Sequence, residues 1–157
     1  WLVVLAHKAW WMDHLYNWST VEALMHTYGV DLQIVGHEHL YQRMWPTYNG
    51  TIWDTKAPSK DNSTYTDPTL MTTIIVGSPG CREKVSAWGA LYQDKSPYYE
   101  LDYGFGLLRF PNATHAYWEW TRTGVPPPKP PHYHTMVDPT TDKLWIVVNN
   151  HGPRKPL

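Results

Sequence analysis

The stretch IVGHEHLYQR, residues 34–43, places two histidines one residue apart, directly after branched apolar residues and a glycine. Branched apolar residues favour a buried strand, and a glycine at the end of a strand allows a sharp turn. Two interpretations are therefore open for His37 and His39. They are either metal ligands that leave the sheet at this turn or the polar end of an ordinary buried strand, and the flanking sequence bears on the choice.

The residues before this stretch predict a strand, a helix and a second strand. Residues 2–6, LVVLA, form an apolar run that predicts a central strand buried on both faces, and His7 follows it. Residues 30–35 predict the second strand, and because a helical crossover joins the two strands, we expect them to be parallel. The helix is predicted by a capping box, apolar residues at helical spacing and a glycine stop: Ser19 and Glu22, then Val21, Leu24, Met25 and Tyr28, then Gly29.

The rest of the chain is predicted to consist of strands and loops. Residues 46–69 are rich in Pro, Asn, Ser, Thr and Asp and predict an exposed excursion, and residues 124–134 predict an extended polyproline connection. The predicted fold class is therefore α/β, or α+β over this segment. Further strands are expected at residues 72–77, 104–110, 114–121 and 142–149, with the middle two joined as a β-hairpin.

Length and composition limit the class of protein. The chain has 157 residues, which is enough for one domain, and its ten Trp, eleven Tyr and fourteen Pro suggest a β-rich, loop-rich domain. The formal net charge is −1 and there is no basic stripe, so nucleic acid is not an expected partner. No apolar run is long enough for a membrane span. The chain begins at Trp1 without an initiator Met or a signal-peptide pattern, so we interpret it as a segment of a longer protein.

Four of the six asparagines lie in Asn-x-Ser/Thr acceptor sequences for N-linked glycans. Any one such match is readily a coincidence, but four together favour the secretory pathway, and hence a secreted protein or one in a lysosome-like compartment. Cys81, the one cysteine of the sequence, is either a buried thiol or the partner of a cysteine outside this segment. The predicted glycosylation sites are Asn17, Asn49, Asn62 and Asn112.

The histidines are predicted to meet at one edge of the sheet. His7 and the Gly36–His39 stretch each follow the carboxyl end of a predicted parallel strand, and such ends line the ligand-binding crevice of an open α/β sheet. The one-residue gap between His37 and His39 lets two imidazoles reach different sides of a dinuclear centre, and imidazole suits Zn, Fe and Mn. The alternative is that each histidine is a hydrogen-bonded residue at the rim of the sheet.

Two motifs resemble the last two of the five sequence blocks of calcineurin-like metallophosphoesterases. VLAH at residues 4–7 is similar to V-x-x-H, and GHEHLYQR at residues 36–43 is similar to G-H-x-H, extended by the H-x-Y-x-R of purple acid phosphatases. The resemblance implies that residues 1–157 are the C-terminal portion of a single metallophosphoesterase catalytic domain, a β-sandwich flanked by helices, and that the N-terminal portion is absent from this chain. Further similar stretches are IIVGSPGCRE at residues 74–83, YGFGLLRFPNATHAYWEW at residues 103–120 and DKLWIVVNNHGP at residues 142–153.

The resemblance also implies roles for individual residues. His7 and His37 match ligands of a divalent ion, and His39 matches a ligand of a ferric ion. The remaining ligands of the family lie in upstream blocks that this sequence does not contain. His14 is the candidate acid for the leaving group, because the family places a histidine in the loop after V-x-x-H. That loop is shorter here, and the alternative is a solvated histidine.

Other polar and aromatic residues have more than one interpretation. Glu38 and Arg43 could orient metal ligands, and Arg43 could equally hold a structural carboxylate. The aromatic residues that follow His7 either wall a substrate site or belong to the core or an interface. These aromatic residues are Trp10, Trp11, Tyr16 and Trp18, and two further histidines expected at the surface are His132 and His134.

The function implied by the resemblance is that of a secreted acid phosphatase that hydrolyses phosphomonoesters at a dinuclear metal centre, Fe(III) with Zn, Fe or Mn(II). Three neutral imidazoles lack the anionic ligands that two such ions need, so this segment alone is expected to be inactive. The expected partners are a phosphomonoester substrate and the N-terminal part of the same domain, and a homodimer is left open. The alternatives are a catalytically inactive secreted structural or binding glycoprotein with the same fold, and a related phosphodiesterase or nucleotide pyrophosphatase.

Overall fold

The computed structural model describes residues 1–8, 19–49, 51–52, 63–80, 84–85, 95–123 and 140–155. The helix and strands of these residues are β1 (Val3–Ala6), α1 (Ser19–Thr27), β2 (Leu32–Val35), β3 (Tyr41–Arg43), β4 (Thr47–Tyr48), β5 (Thr51–Ile52), β6 (Thr64–Thr66), β7 (Thr72–Val76), β8 (Tyr98–Glu100), β9 (Gly104–Arg109), β10 (His115–Arg122) and β11 (Thr140–Val147). None of the described residues forms a helix long and apolar enough to cross a membrane. The predicted polyproline connection at residues 124–134 lies outside them.

Five strands form the first sheet, in the order β1-β2-β7-β3-β8. β1, β2 and β7 run parallel, and β3 and β8 join them in antiparallel pairing. The predicted strand, helix, strand unit is confirmed, because α1 lies between β1 and β2 in the chain and Val3 pairs with Leu32 in a parallel register. On α1, Met25 packs with Val30 and Met71.

The described residues do not test the prediction that residues 2–6 form a central strand. β1 lies at the end of the described sheet, with β2 as its one neighbour there, and the side chain of Leu5 is 75% exposed. An apolar run of this kind suits burial on both faces. The exposed Leu2 and Leu5 therefore mark a surface that the described residues leave uncovered.

The second sheet has the order β6-β11-β10-β9. The predicted hairpin is confirmed by the antiparallel pairing of β9 with β10, and β11 pairs antiparallel with the other side of β10. The prediction of an exposed excursion at residues 46–69 is wrong in part, because this stretch supplies β6, which pairs parallel with β11. Tyr65 on β6 is fully buried. The polar residues on either side of Tyr65 gave no indication in the sequence that its ring packs into the core.

The two sheets pack face to face into the β-sandwich that the family resemblance implies. The first sheet supplies Leu32 and Ile74 to the main core. The second sheet supplies alternate residues of its strands, as expected for a sheet with one buried face. A Cβ on Gly106 would lie 1.9 Å from the indole of Trp118, so a glycine lets the ring lie flat against β9. The core residues of the second sheet include Ala116, Trp118, Trp120, Leu144 and Ile146.

Glu22 makes a contact that the sequence did not predict. Its side chain is buried, and Oε1 accepts a hydrogen bond of 2.9 Å from the backbone amide of Asn49, at the turn after β4. α1 begins at Ser19, where the capping-box spacing predicts the start of the helix. Burial raises the pKa of Glu22, and the Asn49 amide partly offsets that rise.

Candidate metal centre

The carboxyl ends of the three parallel strands lie at one edge of the first sheet. His7 follows β1, the Gly36–His39 stretch follows β2 and Ser78 lies just beyond β7. The backbone amide of Gly36 donates to the carbonyl oxygen of His7 at 3.1 Å, so the contact between β1 and β2 continues to the first histidine. The residues predicted to bind a metal therefore follow strands that end side by side.

His7 and His37 meet at this edge. His37 Nδ1 lies 3.1 Å from His7 Nε2, and the ring centroids are 4.9 Å apart with the planes at 74°. Two nitrogens that bind one ion at about 2.0–2.1 Å stand roughly 3 Å apart. The two rings are thus spaced as ligands of one ion are, and both side chains are exposed, so a cation from solvent reaches them.

The turn that carries His37 has an unusual backbone. His37 has a φ of 59°, in the left-handed region that few residues with a side chain adopt. Short hydrogen bonds hold the turn: the Glu38 amide donates to the Gly36 carbonyl at 2.7 Å, and the Leu40 amide donates to the Glu38 carbonyl at 2.8 Å. Such backbone conformations cost energy and cluster at functional sites.

The end of β7 packs directly against this turn. A Cβ on Gly77 would lie 2.0 Å from the carbonyl oxygen of Glu38, so this approach requires a glycine. The Gly77 amide donates to the Leu40 carbonyl at 3.0 Å, and Ser78 Oγ donates to the Asp102 carbonyl at 2.7 Å. The turn is therefore fixed by β7 as well as by β2.

His39 faces a different neighbour. Its Nδ1 lies 3.2 Å from the carbonyl oxygen of Lys84, which accepts a hydrogen bond only if Nδ1 carries the proton. In the neutral ring the lone pair is then on Nε2, the form of imidazole that binds a metal. Across the described residues, however, no three His, Cys, Asp or Glu side chains form one group that could hold an ion. The pair of His7 and His37 is brought together, and the role of His39 stays a prediction.

Arg43, for which two roles were open, holds a structural carboxylate. Its Nε lies 2.7 Å from Asp142 Oδ2 and its second terminal nitrogen 2.8 Å from Oδ1, and both side chains are buried. Tyr41 Oη donates to Asp142 Oδ2 at 2.5 Å. Sequence reasoning missed Asp142, although one signal was present: it is the polar member of an inward-facing series that continues with Leu144 and Ile146.

Burial and charge keep the groups of this cluster in one protonation state. Burial, followed by the charge of Asp142, raises the pKa of Tyr41 well above its ordinary value, and burial raises the pKa of Tyr65 to about 12. Burial alone would lower the pKa of Arg43, but hydrogen bonding to Asp142 raises it overall. Both phenols therefore remain donors and Arg43 remains a cation at any physiological pH.

Two of the predicted glycosylation sites are described, and both are exposed. Asn49 follows β4, and Asn112 lies in the hairpin turn between β9 and β10, where its Oδ1 accepts hydrogen bonds from the amides of Thr114 and His115. The other residues singled out from the sequence lie outside the described residues: His14, Asn17, Asn62, Cys81, the aromatic residues Trp10, Trp11, Tyr16 and Trp18, and His132 and His134.

The sandwich, with its histidine pair at the carboxyl edge of a parallel sheet, has a metallophosphoesterase-like fold. A solved structure with the same fold is a purple acid phosphatase isolated from yellow lupin (Lupinus luteus) seeds. The superposition has a TM-score of 0.67 at 18% sequence identity, and it covers 94% of this chain and 25% of that one.

Sequence comparisons identify the family within this class. Residues 70–126 match the model of an iron/zinc purple acid phosphatase-like protein C domain. Acid phosphatase type 7 of Danio rerio is 33% identical over 85% of this chain and 27% of its own length. Purple acid phosphatase 18 of Arabidopsis thaliana is 30% identical over 93% of this chain and 30% of its own length. The chain belongs to the purple acid phosphatase family, matches the C-terminal part of its members and spans less than a third of these relatives.

Proposed function

We propose that this chain forms the C-terminal part of the catalytic domain of an acid phosphatase that hydrolyses phosphomonoesters at a dinuclear metal centre. The observation that carries the proposal is the 3.1 Å contact between His37 Nδ1 and His7 Nε2, at the edge where parallel strands present ligands. Relatives named acid phosphatase and purple acid phosphatase support the reaction class.

The donor set fits the proposed metals. His7 Nε2 and His37 Nδ1 would hold the divalent ion, which is Zn, Fe or Mn, and His39 would bind the ferric ion through Nε2 while Nδ1 donates to the Lys84 carbonyl. When bound, the two ions supply Lewis-acid stabilisation of the phosphate charge and acidify a water molecule. The role of this chain is to orient the imidazoles and to hold the turn that carries them.

The proposed site requires anionic ligands from elsewhere in the protein. Three imidazoles are neutral, and a ferric ion beside a divalent ion needs carboxylate or phenolate charge. We assign these ligands to the N-terminal part of the same catalytic domain, which is the proposed partner of this segment. The segment alone is therefore expected to be inactive. His14 remains the proposed acid for the leaving group.

The proposal includes a secreted or lysosome-like location with N-linked glycans. Asn49 and Asn112 support it, because both acceptor asparagines lie in exposed turns. Mass spectrometry of native protein is expected to find a glycan on at least one of the acceptor sites, Asn17, Asn49, Asn62 and Asn112. Four unmodified sites would contradict secretion.

The deciding experiment measures phosphomonoester turnover at acidic pH by the complete polypeptide, reconstituted with iron and with zinc or manganese. His37→Ala is expected to lower kcat by about two orders of magnitude, since a direct ligand is lost. His115→Ala is the matched control, because this histidine lies on β10 of the second sheet. A wild-type protein that binds less than one ion and shows no turnover would contradict the phosphatase and leave an inactive glycoprotein of the same fold.

A further inference from the structure

Asp142 joins the two sheets at the segment that follows the histidines. It lies on β11 of the second sheet and is 7% exposed. All three hydrogen bonds that its carboxylate accepts in the described contacts come from β3 of the first sheet, two from Arg43 and one from Tyr41. β11 and β3 belong to different sheets, so these bonds cross the interior of the sandwich.

β3 begins at Tyr41, two residues after His39. The position of β3 therefore constrains the turn that carries His37 and His39. Tyr41 is held on every side: its ring stacks on Trp120 with centroids 4.5 Å apart and planes at 7°, and Trp118 Nε1 donates to its hydroxyl at 2.9 Å. Because the chain from His39 to Tyr41 is only two residues long, a displacement of Tyr41 moves His39 with it.

The chemistry of the cluster favours a geometric role over a stabilising one. A buried ion pair is often replaced by apolar residues without loss of stability, because the attraction between the charges is offset by the loss of their hydration. A bidentate arginine–carboxylate contact, by contrast, fixes both direction and distance. Arg43 is further held by Tyr65, whose hydroxyl accepts a 2.9 Å hydrogen bond from its guanidinium.

We infer that Asp142 is a positioning residue for the metal centre: through Tyr41 and Arg43 it holds β3 in the place that sets the turn with His37 and His39. This inference rests on the proposed function, since it concerns the residues that would bind the ions. It adds a residue from the second sheet to a site for which the ligands predicted in this chain follow strands of the first sheet.

The test compares two variants of the complete polypeptide for divalent-ion affinity, kcat, KM and thermal unfolding. Asp142→Asn is expected to weaken divalent-ion binding about tenfold, to lower kcat by a similar factor and to leave KM within about twofold. The double variant Arg43→Met with Asp142→Leu removes both buried charges. It is expected to unfold near the wild-type temperature and still to bind the ion about tenfold more weakly, because the turn has lost its anchor.

Leu144→Ala is the matched control, since it creates a cavity on the same strand without removing a hydrogen bond to β3. It is expected to lower thermal stability and to retain wild-type ion affinity. Wild-type affinity and kcat in the double variant would overturn the inference and leave Asp142 a purely structural residue. Failure of the wild-type protein itself to bind a divalent ion would instead overturn the proposed function, and the two failures are therefore distinguishable.

Discussion

The two ends of the first sheet each carry a histidine contact, and the contacts differ in kind. At the amino end, His151 Nδ1 lies 3.0 Å from the carboxylate of Asp31 and Nε2 lies 2.8 Å from the Ala113 carbonyl. At the carboxyl end, His37 and His7 face each other through ring nitrogens. A histidine between two acceptors serves as a donor that ties segments together. In the facing pair one ring nitrogen donates to the other, and both nitrogens become ligands only when a cation replaces the shared proton.

The surroundings of the two ends reinforce this difference. Asp31 is buried and also accepts a hydrogen bond of 2.9 Å from the Leu2 amide, so its contact with His151 joins β1, β2 and the segment after β11. Arg154, in the same segment, donates to the Val30 carbonyl at 2.8 Å. The amino end is thus tied by hydrogen bonds to the segment after β11, whereas His7 and His37 at the carboxyl end contact each other.

The largest expected effect is a difference in kcat between a variant at the carboxyl end of the first sheet and one at its amino end. His7→Ala in the complete polypeptide is expected to lower kcat about 100-fold or more, because it removes half of the facing pair. His151→Ala, at the other end, is expected to keep kcat within about twofold while lowering stability by about 1 kcal/mol through its lost hydrogen bonds. Steady-state kinetics with urea unfolding of both variants measures this contrast. Equal losses of kcat would show that the two histidines do not differ in role.

The sequence was sufficient to place the histidine pair, because His7 and His37 each follow an apolar run and a helix between the runs makes them parallel. Local patterns likewise predicted the hairpin and the last strand. The alternation with Leu144 and Ile146 indicated that Asp142 faces inward, but its pairing with Arg43 was not predictable, because Arg43 is 99 residues away and no local pattern links the two. The burial of Tyr65 also depends on the packing of distant segments, which residue spacing does not record.

A smaller effect, on the free energy of unfolding, is expected when the carboxylate of Asp31 is removed from the amino end of the first sheet. Asp31→Ala is expected to lower the free energy of unfolding by about 2 kcal/mol, since it leaves the Leu2 amide and Nδ1 of His151 without the acceptor that Asp31 provides. Asp67→Ala is the matched control, because Asp67 also accepts two hydrogen bonds, from Asn149, but lies exposed. Urea denaturation at pH 7 measures both changes, and an equal loss in the control would contradict the importance of burial.

The smallest expected effect concerns Glu22, a buried acid with one backbone donor and no cation among the contacts described for it. Its pKa in the folded protein is raised above the ordinary value of 4.5, first by burial. The folded state therefore holds the proton more tightly than the unfolded state does. The stability that this proton provides is present below pH 4.5 and is lost as the pH rises through the folded-state pKa.

Glu22→Gln should consequently stabilise the protein at pH 7, by up to about 1 kcal/mol, and have little effect at pH 4. The amide oxygen can still accept the hydrogen bond from Asn49, so the variant removes the buried charge and keeps the contact. Glu119→Gln, on the outer face of β10, controls for the loss of one negative charge and is expected to show no such dependence on pH. Thermal unfolding at both pH values measures the difference. If Glu22→Gln instead destabilised the protein at pH 7, the ionised carboxylate would gain more from the Asn49 amide than it loses by burial, and Glu22 would resemble Asp31 as an anchor of the fold.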